Sequence, residues 1–204
     1  MPASEHGPRE RLVVSAAQLI RRDGVGATGM RDVAEHANAP RGSLQHYFPG
    51  GKEQLVNEAV GWAGRYAARR VTRHLDALDA LGGQERRPSG LLAAMVRQWT
   101  VELTATDYTF GCTIAAVTID CAESSAPARV AAATAFAGWQ APLTAALGEL
   151  CIPAARASSL ATLVISSLEG ALLIARAEQS VRAFEAMNAE LGPLLDAAVA
   201  PQSR

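Results

Sequence analysis

The sequence predicts an all-α protein: a small N-terminal unit of three helices over residues 1–55, then a larger helical unit over residues 56–204. Apolar residues recur at helical spacing through most of the chain, and no strand-like alternation survives for more than a few residues. Apolar residues make up 49% of the chain and aromatic residues only 5%, with alanine dominant, a composition that packs helices closely through small side chains.

The elements follow in order. Pro8 to Asp23 forms a first helix with Leu12, Val13, Ala16, Leu19 and Ile20 on its apolar side; Gly24 ends it and Val25 tucks back as a staple. Thr28 is placed to cap a second helix whose apolar side is Met30, Val33, Ala34 and Ala37. Asn38 tolerates the left-handed conformation that ends a helix, and Pro40 suits the first turn of a third. That third helix turns Leu44 inward and leaves Arg41, Ser43, Gln45 and His46 outward. Pro49-Gly50-Gly51 is a turn, and Lys52 opens a long helix to Leu81 that spans ~45 Å at ~1.5 Å per residue. A helix of that length links a head to a body. Gly82 to Pro88 is a charged loop; Ser89 caps a helix to Thr104; Cys112 to Ala122 is a short apolar helix. Ser125 caps the next helix, to Leu150; another runs from Ile152-Pro153 to Glu178; Ser180 begins the last, which ends near Val199.

The segment Thr28 to Leu55 therefore has the layout of a helix-turn-helix, whose second helix enters a DNA major groove. With His46-Tyr47-Phe48 followed by Lys52-Glu53-Gln54-Leu55, it resembles the DNA-binding region of the TetR family of bacterial transcriptional regulators. The run Pro40 to Leu55, together with Gly111-Cys112-Thr113-Ile114 and Glu169-Gly170-Ala171-Leu172, is similar to the LmrA/YxaF-like branch. The resemblance implies a homodimeric regulator that binds a double-stranded DNA operator, most simply a repressor released by a small apolar or aromatic molecule. The alternative is a helical small-molecule-binding protein or enzyme whose head has lost DNA reading. By position in the motif, Thr28, Tyr47 and Lys52 resemble phosphate contacts, and Lys52 is helped by the positive end of its helix. Arg41, Gly42, Ser43, Gln45 and His46 occupy the base-reading stretch, where Arg41 suits guanine and Gln45 suits adenine. Two positions depart from the family pattern: Gln45 stands where many relatives have Tyr, and Pro40 where many have Ser.

Charge does not by itself suggest nucleic acid and only fails to contradict this reading. The net charge is −1, and residues 1–55 hold seven Lys/Arg against six acids. The DNA reading thus rests on motif geometry. Cys112, Cys121 and Cys151 read as reduced, mostly buried thiols. The N-terminus lacks the apolar stretch of a secretion signal, and no unbroken apolar run reaches the ~18–20 residues of a membrane span, so the expected location is the cytoplasm. The four histidines show no metal-like pairing with the cysteines, and no cofactor is expected. Gly51-Lys52 fails as a phosphate loop because His46 and Glu53 stand where Gly and Ser or Thr are needed. No nucleophile or paired-carboxylate motif marks an enzyme. Arg65, Arg69 and Arg73 share one face of the long helix and read as solvated.

The resemblance also gives the body a ligand pocket and a dimer face. Pocket candidates are the apolar Met95, Trp99, Phe110, Ile114, Phe136, Trp139, Ile165 and Leu168, with Gln98, Thr118, Asp120 and Glu169 as polar groups. Relatives of that branch suggest a planar aromatic ligand. Leu160, Leu163, Val164, Ser167, Leu168, Ala171, Leu172 and Ala175, with Val181, Phe184, Met187, Leu191 and Leu195, form apolar stripes on the last two helices, wide enough for a core and a dimer partner.

Overall fold

The computed structural model describes residues 7–40 and 42–200. In chain order the helices are α1 (Pro8–Ala27), α2 (Met30–His36), α3 (Gly42–Tyr47), α4 (Gly51–Leu81), α5 (Pro88–Ala105), α6 (Thr113–Cys121), α7 (Ala126–Glu149), α8 (Ala154–Glu178) and α9 (Arg182–Asp196). A 3₁₀ turn, Gly83–Glu85, lies in the charged loop before α5, and the described residues contain no strand. The chain divides into two compact units: one holds the residues through Tyr66 with Gly111–Ala137, the other Ala67–Phe110 with the residues from Gly138 onward. The first unit thus takes in α6 and the start of α7, which lie beyond residue 55.

In the first unit α1 is the central strut. Leu12, Ala16, Ala17 and Ile20 are almost wholly buried, and α1 packs on α2, α3 and α6. Gly24 breaks α1 with φ 84° and ψ 170°, a conformation essentially restricted to glycine, and Val25 beyond it is buried as the staple reading required. The first half of α4 adds Leu55, Val56, Ala59 and Val60 to this core. Where α4 meets α7, a Cβ on Gly64 would stand 2.9 Å from the Ala135 backbone, so this approach depends on glycine. Ser125 caps α7 as expected: its Oγ accepts the Ala128 N–H at 3.1 Å.

In the second unit α9 packs on both α5 and α8 around Phe184, Leu91, Leu92, Leu103 and Leu168. Three sequence expectations need correction. Ser89 is not the cap of α5; Arg87 is, with Pro88 at the first helical position, and Ser89 instead donates its N–H (2.9 Å) and Oγ–H (2.7 Å) to the Asp196 carboxylate of α9. The last helix starts at Arg182 rather than Ser180 and ends at Asp196, short of Val199. Cys151 is exposed at a positive φ of 69°, so only Cys112 and Cys121 are partly covered.

Among the described residues one helix, α8, is long and apolar enough to cross a membrane by length and composition. The sequence reading passed over it because Ser and Thr interrupt its apolar run. Of the α8 stripe expected to serve core and partner together, Leu160, Val164, Leu168, Ala171, Leu172 and Ala175 are buried in the second unit, Ser167 is half-buried and Leu163 is 40% exposed.

Gly64→Val should lower stability by about 1–3 kcal/mol through overpacking. Gly138→Ala, where an added Cβ meets nothing within 4 Å, should raise it by about 0.5–1 kcal/mol. Urea midpoints measure both.

Candidate nucleic-acid interface

The α2–α3 corner is closed by local hydrogen bonds. Ala37, Asn38 and Ala39 N–H groups donate to Val33, Glu35 and Ala34 carbonyls, each at 2.9 Å, and Asn38 takes the expected left-handed conformation with φ 50°. Ser43 N–H then donates to Pro40 C=O at 2.9 Å and starts α3. Leu44 and Phe48 are buried and fix one side of α3 to the core, which turns Gly42, Gln45 and His46 to solvent. Ser43 and Tyr47 are half-buried, and the His46 and Tyr47 rings meet edge to face at 4.9 Å. The Arg9 guanidinium lies 5.2 Å over the Phe48 ring and pairs with Glu58 at 2.7 Å.

The turn into α4 is held by a residue that the sequence reading left out. Gly50 N–H donates to Gln54 Oε1 at 2.9 Å, and Gln54 Nε2 donates to Glu58 at 3.0 Å. Gly51, with φ 68°, starts α4 and places Lys52 in its first turn, half-exposed. The spacing Gly50 to Gln54 was the available signal, since a side-chain amide four residues on can return to an open N–H.

Thr28 is corrected. It does not cap α2: Gly29 occupies the cap position, and its N–H donates to Asp32 at 3.2 Å. Thr28 is 5% exposed, and its Oγ1–H donates to Gly24 C=O at 2.8 Å, so its hydroxyl is turned into the joint after α1. Arg41 lies outside the described residues. Gly42, Ser43, Gln45, His46 and Tyr47 lie together on α3, and Lys52 follows across the turn.

The pocket candidates are divided between the units. Ile114, Thr118, Asp120 and Phe136 belong to the first; Met95, Gln98, Trp99, Phe110, Trp139, Ile165, Leu168 and Glu169 belong to the second. Ile114, Met95, Trp139, Ile165 and Leu168 are buried, while Thr118 and Asp120 are exposed. Asp120, expected among the polar groups of the pocket, accepts the Val25 N–H at 2.7 Å. Gln98 lies in a groove of about 390 Å³ between α4 and α5 with Arg70, His74, Leu78 and Val101, and its Oε1 is 2.7 Å from His74 Nε2. Burial of the His74 ring lowers its pKa; the Gln98 bond opposes this, and the charges of Arg70, Arg73 and Arg97 add to it. Burial and the adjacent Asp120 carboxylate raise the Cys121 thiol, against a smaller pull from Lys52. The described residues contain no metal-binding cluster.

Comparison with known proteins gives this geometry its context. Residues 12–59 match the family described as bacterial regulatory proteins, tetR family, and residues 88–190 match the transcriptional regulator LmrA/YxaF-like C-terminal domain. The chain is 40% identical over 203 residues to the uncharacterized HTH-type transcriptional regulator Rv0196 of Mycobacterium tuberculosis, covering 97% of this chain and 99% of that one. The chain belongs to the TetR family of transcriptional regulators. This regulator is also similar to the HTH-type transcriptional regulator LmrA of Bacillus subtilis, 26% identical over 166 residues with 81% and 85% of the two chains covered. Among solved structures, the regulatory protein TetR from Rhodobacter sphaeroides shares its fold with a TM-score of 0.77 at 19% identity, over 90% of this chain and 96% of that one.

His74 supplies a pH dependence. Its folded pKa is below the ordinary 6.5, so the unfolded chain binds the proton first as pH falls. The stability present above pH 6.5 is therefore lost as pH drops from there through the folded value. His74→Gln should flatten this part of the stability–pH profile, read from urea melts at neutral and mildly acidic pH.

Proposed function

We propose that this regulator is a dimeric repressor that holds a near-palindromic operator and releases it when a small apolar or aromatic molecule binds the body. One observation carries the DNA half of this reading: Gln45 and His46 are exposed side by side on α3, while Leu44 of the same helix and Phe48 just after it are buried. Gly42, Ser43, Gln45 and His46 face the bases in this proposal, joined by Arg41 on the strength of the sequence. Tyr47 and Lys52 bind phosphates on either side, which fixes register while the α3 side chains set sequence preference. Thr28, with its hydroxyl turned inward, drops out of the contact set.

Residues 1–55 form the DNA-reading part and residues 56–204 the ligand-binding and dimerising part, acting in the cytoplasm. Dimerisation is supported by the apolar side chains that the core leaves uncovered. Leu163, Leu173 and Ile174 of α8 are 40%, 51% and 46% exposed, and Leu194 of α9 is 44% exposed. Leu163, Gly170 and Ile174 fall at i, i+7 and i+11, one side of α8, with small serines between. The ligand acts only through its difference in affinity between the DNA-competent and released forms.

Fluorescence anisotropy with duplex DNA from upstream of the regulator's own gene tests the contacts. Lys52→Ala should weaken binding to every sequence and lower the log–log salt slope by about 1, and Tyr47→Phe should weaken binding with little change of slope. Gln45→Ala should relax preference at one base pair, worth about 1–3 kcal/mol. Unchanged binding by the Gln45→Ala/Lys52→Ala double variant would remove α3 from the interface. Sedimentation should give twice the 21.4 kDa chain mass, and Leu173→Glu/Ile174→Glu should yield monomers with much reduced operator affinity.

A further inference from the structure

The break in α1 has its hydrogen bonds completed by a distant segment. In an unbroken helix the Val25 N–H would bond the Arg21 carbonyl four residues back. With Gly24 out of helical geometry, both groups bond outside α1 instead. Arg21 C=O accepts the Gly111 N–H at 2.7 Å, and Val25 N–H donates to Asp120 Oδ2 at 2.7 Å, from a residue 95 positions later. Thr28 closes the joint on the other side, with its Oγ1–H on Gly24 C=O at 2.8 Å and its N–H on Val25 C=O at 3.3 Å. Gly24 is also the residue that lets the carboxylate in: a Cβ there would stand 3.0 Å from Asp120 Oδ2.

The segment that supplies these partners is anchored at its other end too. Arg21 Nε donates to Gly111 C=O at 3.1 Å, and Thr113 Oγ1–H donates to Ala17 C=O at 3.0 Å. So α6 begins against the middle of α1 and ends with a carboxylate on the first N–H after the break. The short turn Val25–Thr28 then leads directly through Gly29 into α2.

We infer that Asp120 is a positioning residue for DNA reading: from the end of α6 it caps the turn after Gly24 and thereby fixes the α1–α2 corner that presents α3. The inference rests on the DNA-binding reading above. Asp120 is exposed, so it serves this bond without being part of the apolar core. Removing it leaves the Val25 N–H without its acceptor and leaves the core residues of α1 and α6 in place.

The test uses the full chain with Asp120→Ala, Asp120→Asn and Asp120→Glu. Asn keeps an acceptor oxygen at the same reach; Glu keeps the charge and moves the acceptor by one methylene. Two quantities are read: hydrogen exchange of the Val25 amide by NMR, and affinity for the upstream duplex. Asp120→Ala should speed Val25 exchange and lower DNA affinity by about tenfold each, the scale expected for loss of one hydrogen bond. Asp120→Asn should restore both, Asp120→Glu should fall between, and the thermal midpoint of Asp120→Asn should match wild type. If Asp120→Ala does not fold, the contrast between Asn and Glu decides. Unchanged Val25 protection in the Ala or Glu variant, or faster exchange with full DNA affinity, overturns the inference. Equal loss of affinity in Asn and Ala overturns it as well, because charge alone would then be responsible. Wild type that binds no duplex overturns the DNA reading itself, while Val25 exchange still decides whether Asp120 holds the joint.

Discussion

The head depends on one constraint: α2 and α3 are 7 and 6 residues long, well below the ~12–15 residues at which an isolated helix becomes marginal in water. They exist because Val33, Ala34, Leu44 and Phe48 bury their side chains against the rest of the first unit. That burial also decides orientation. With Leu44 and Phe48 inward, the pitch of the helix leaves Gln45 and His46 no direction except outward. The exposure of the reading surface is therefore a consequence of the core.

The same economy governs the ends of the helices. Each break leaves backbone N–H and C=O groups that must find partners. Here side chains repeatedly supply them. Asp120 serves the break in α1, Asp196 serves the first turn of α5, and Gln54 serves the turn before α4. The Asp120 and Asp196 bonds each join two elements while they satisfy one, so these helix ends are also where elements are held in register. This is why the first compact unit draws α6 into the head, and why Ser89 ties α5 to α9 rather than capping its own helix.

The legible parts of the sequence were those set by local physics. The apolar periodicity located the helices, Gly24 and Asn38 marked the conformations glycine and asparagine tolerate, and Ser125 capped the helix it precedes. Thr28 and Ser89 misled for a shared reason. A hydroxyl next to a helix start can cap it, but it can equally donate to a better-placed acceptor, and that acceptor is known only once the chain has folded. The pocket candidates failed to resolve likewise: Met95, Trp139, Ile165 and Leu168 have the chemistry of a pocket wall and of a core, and burial alone does not separate them.

By itself, the sequence determined the all-α class, the helix-turn-helix and the membership that its motif implies, because these follow from periodicity, turn chemistry and short-range spacing. Only the tertiary structure decided that Asp120 belongs to the corner before α2, that α8 buries most of its apolar stripe but leaves Leu163 exposed together with Leu173 and Ile174, and that Thr28 turns inward. These are choices between partners of equal chemistry, and a hydrogen-bond acceptor 95 residues away competes on level terms with a neighbour once folding has brought it to 2.7 Å.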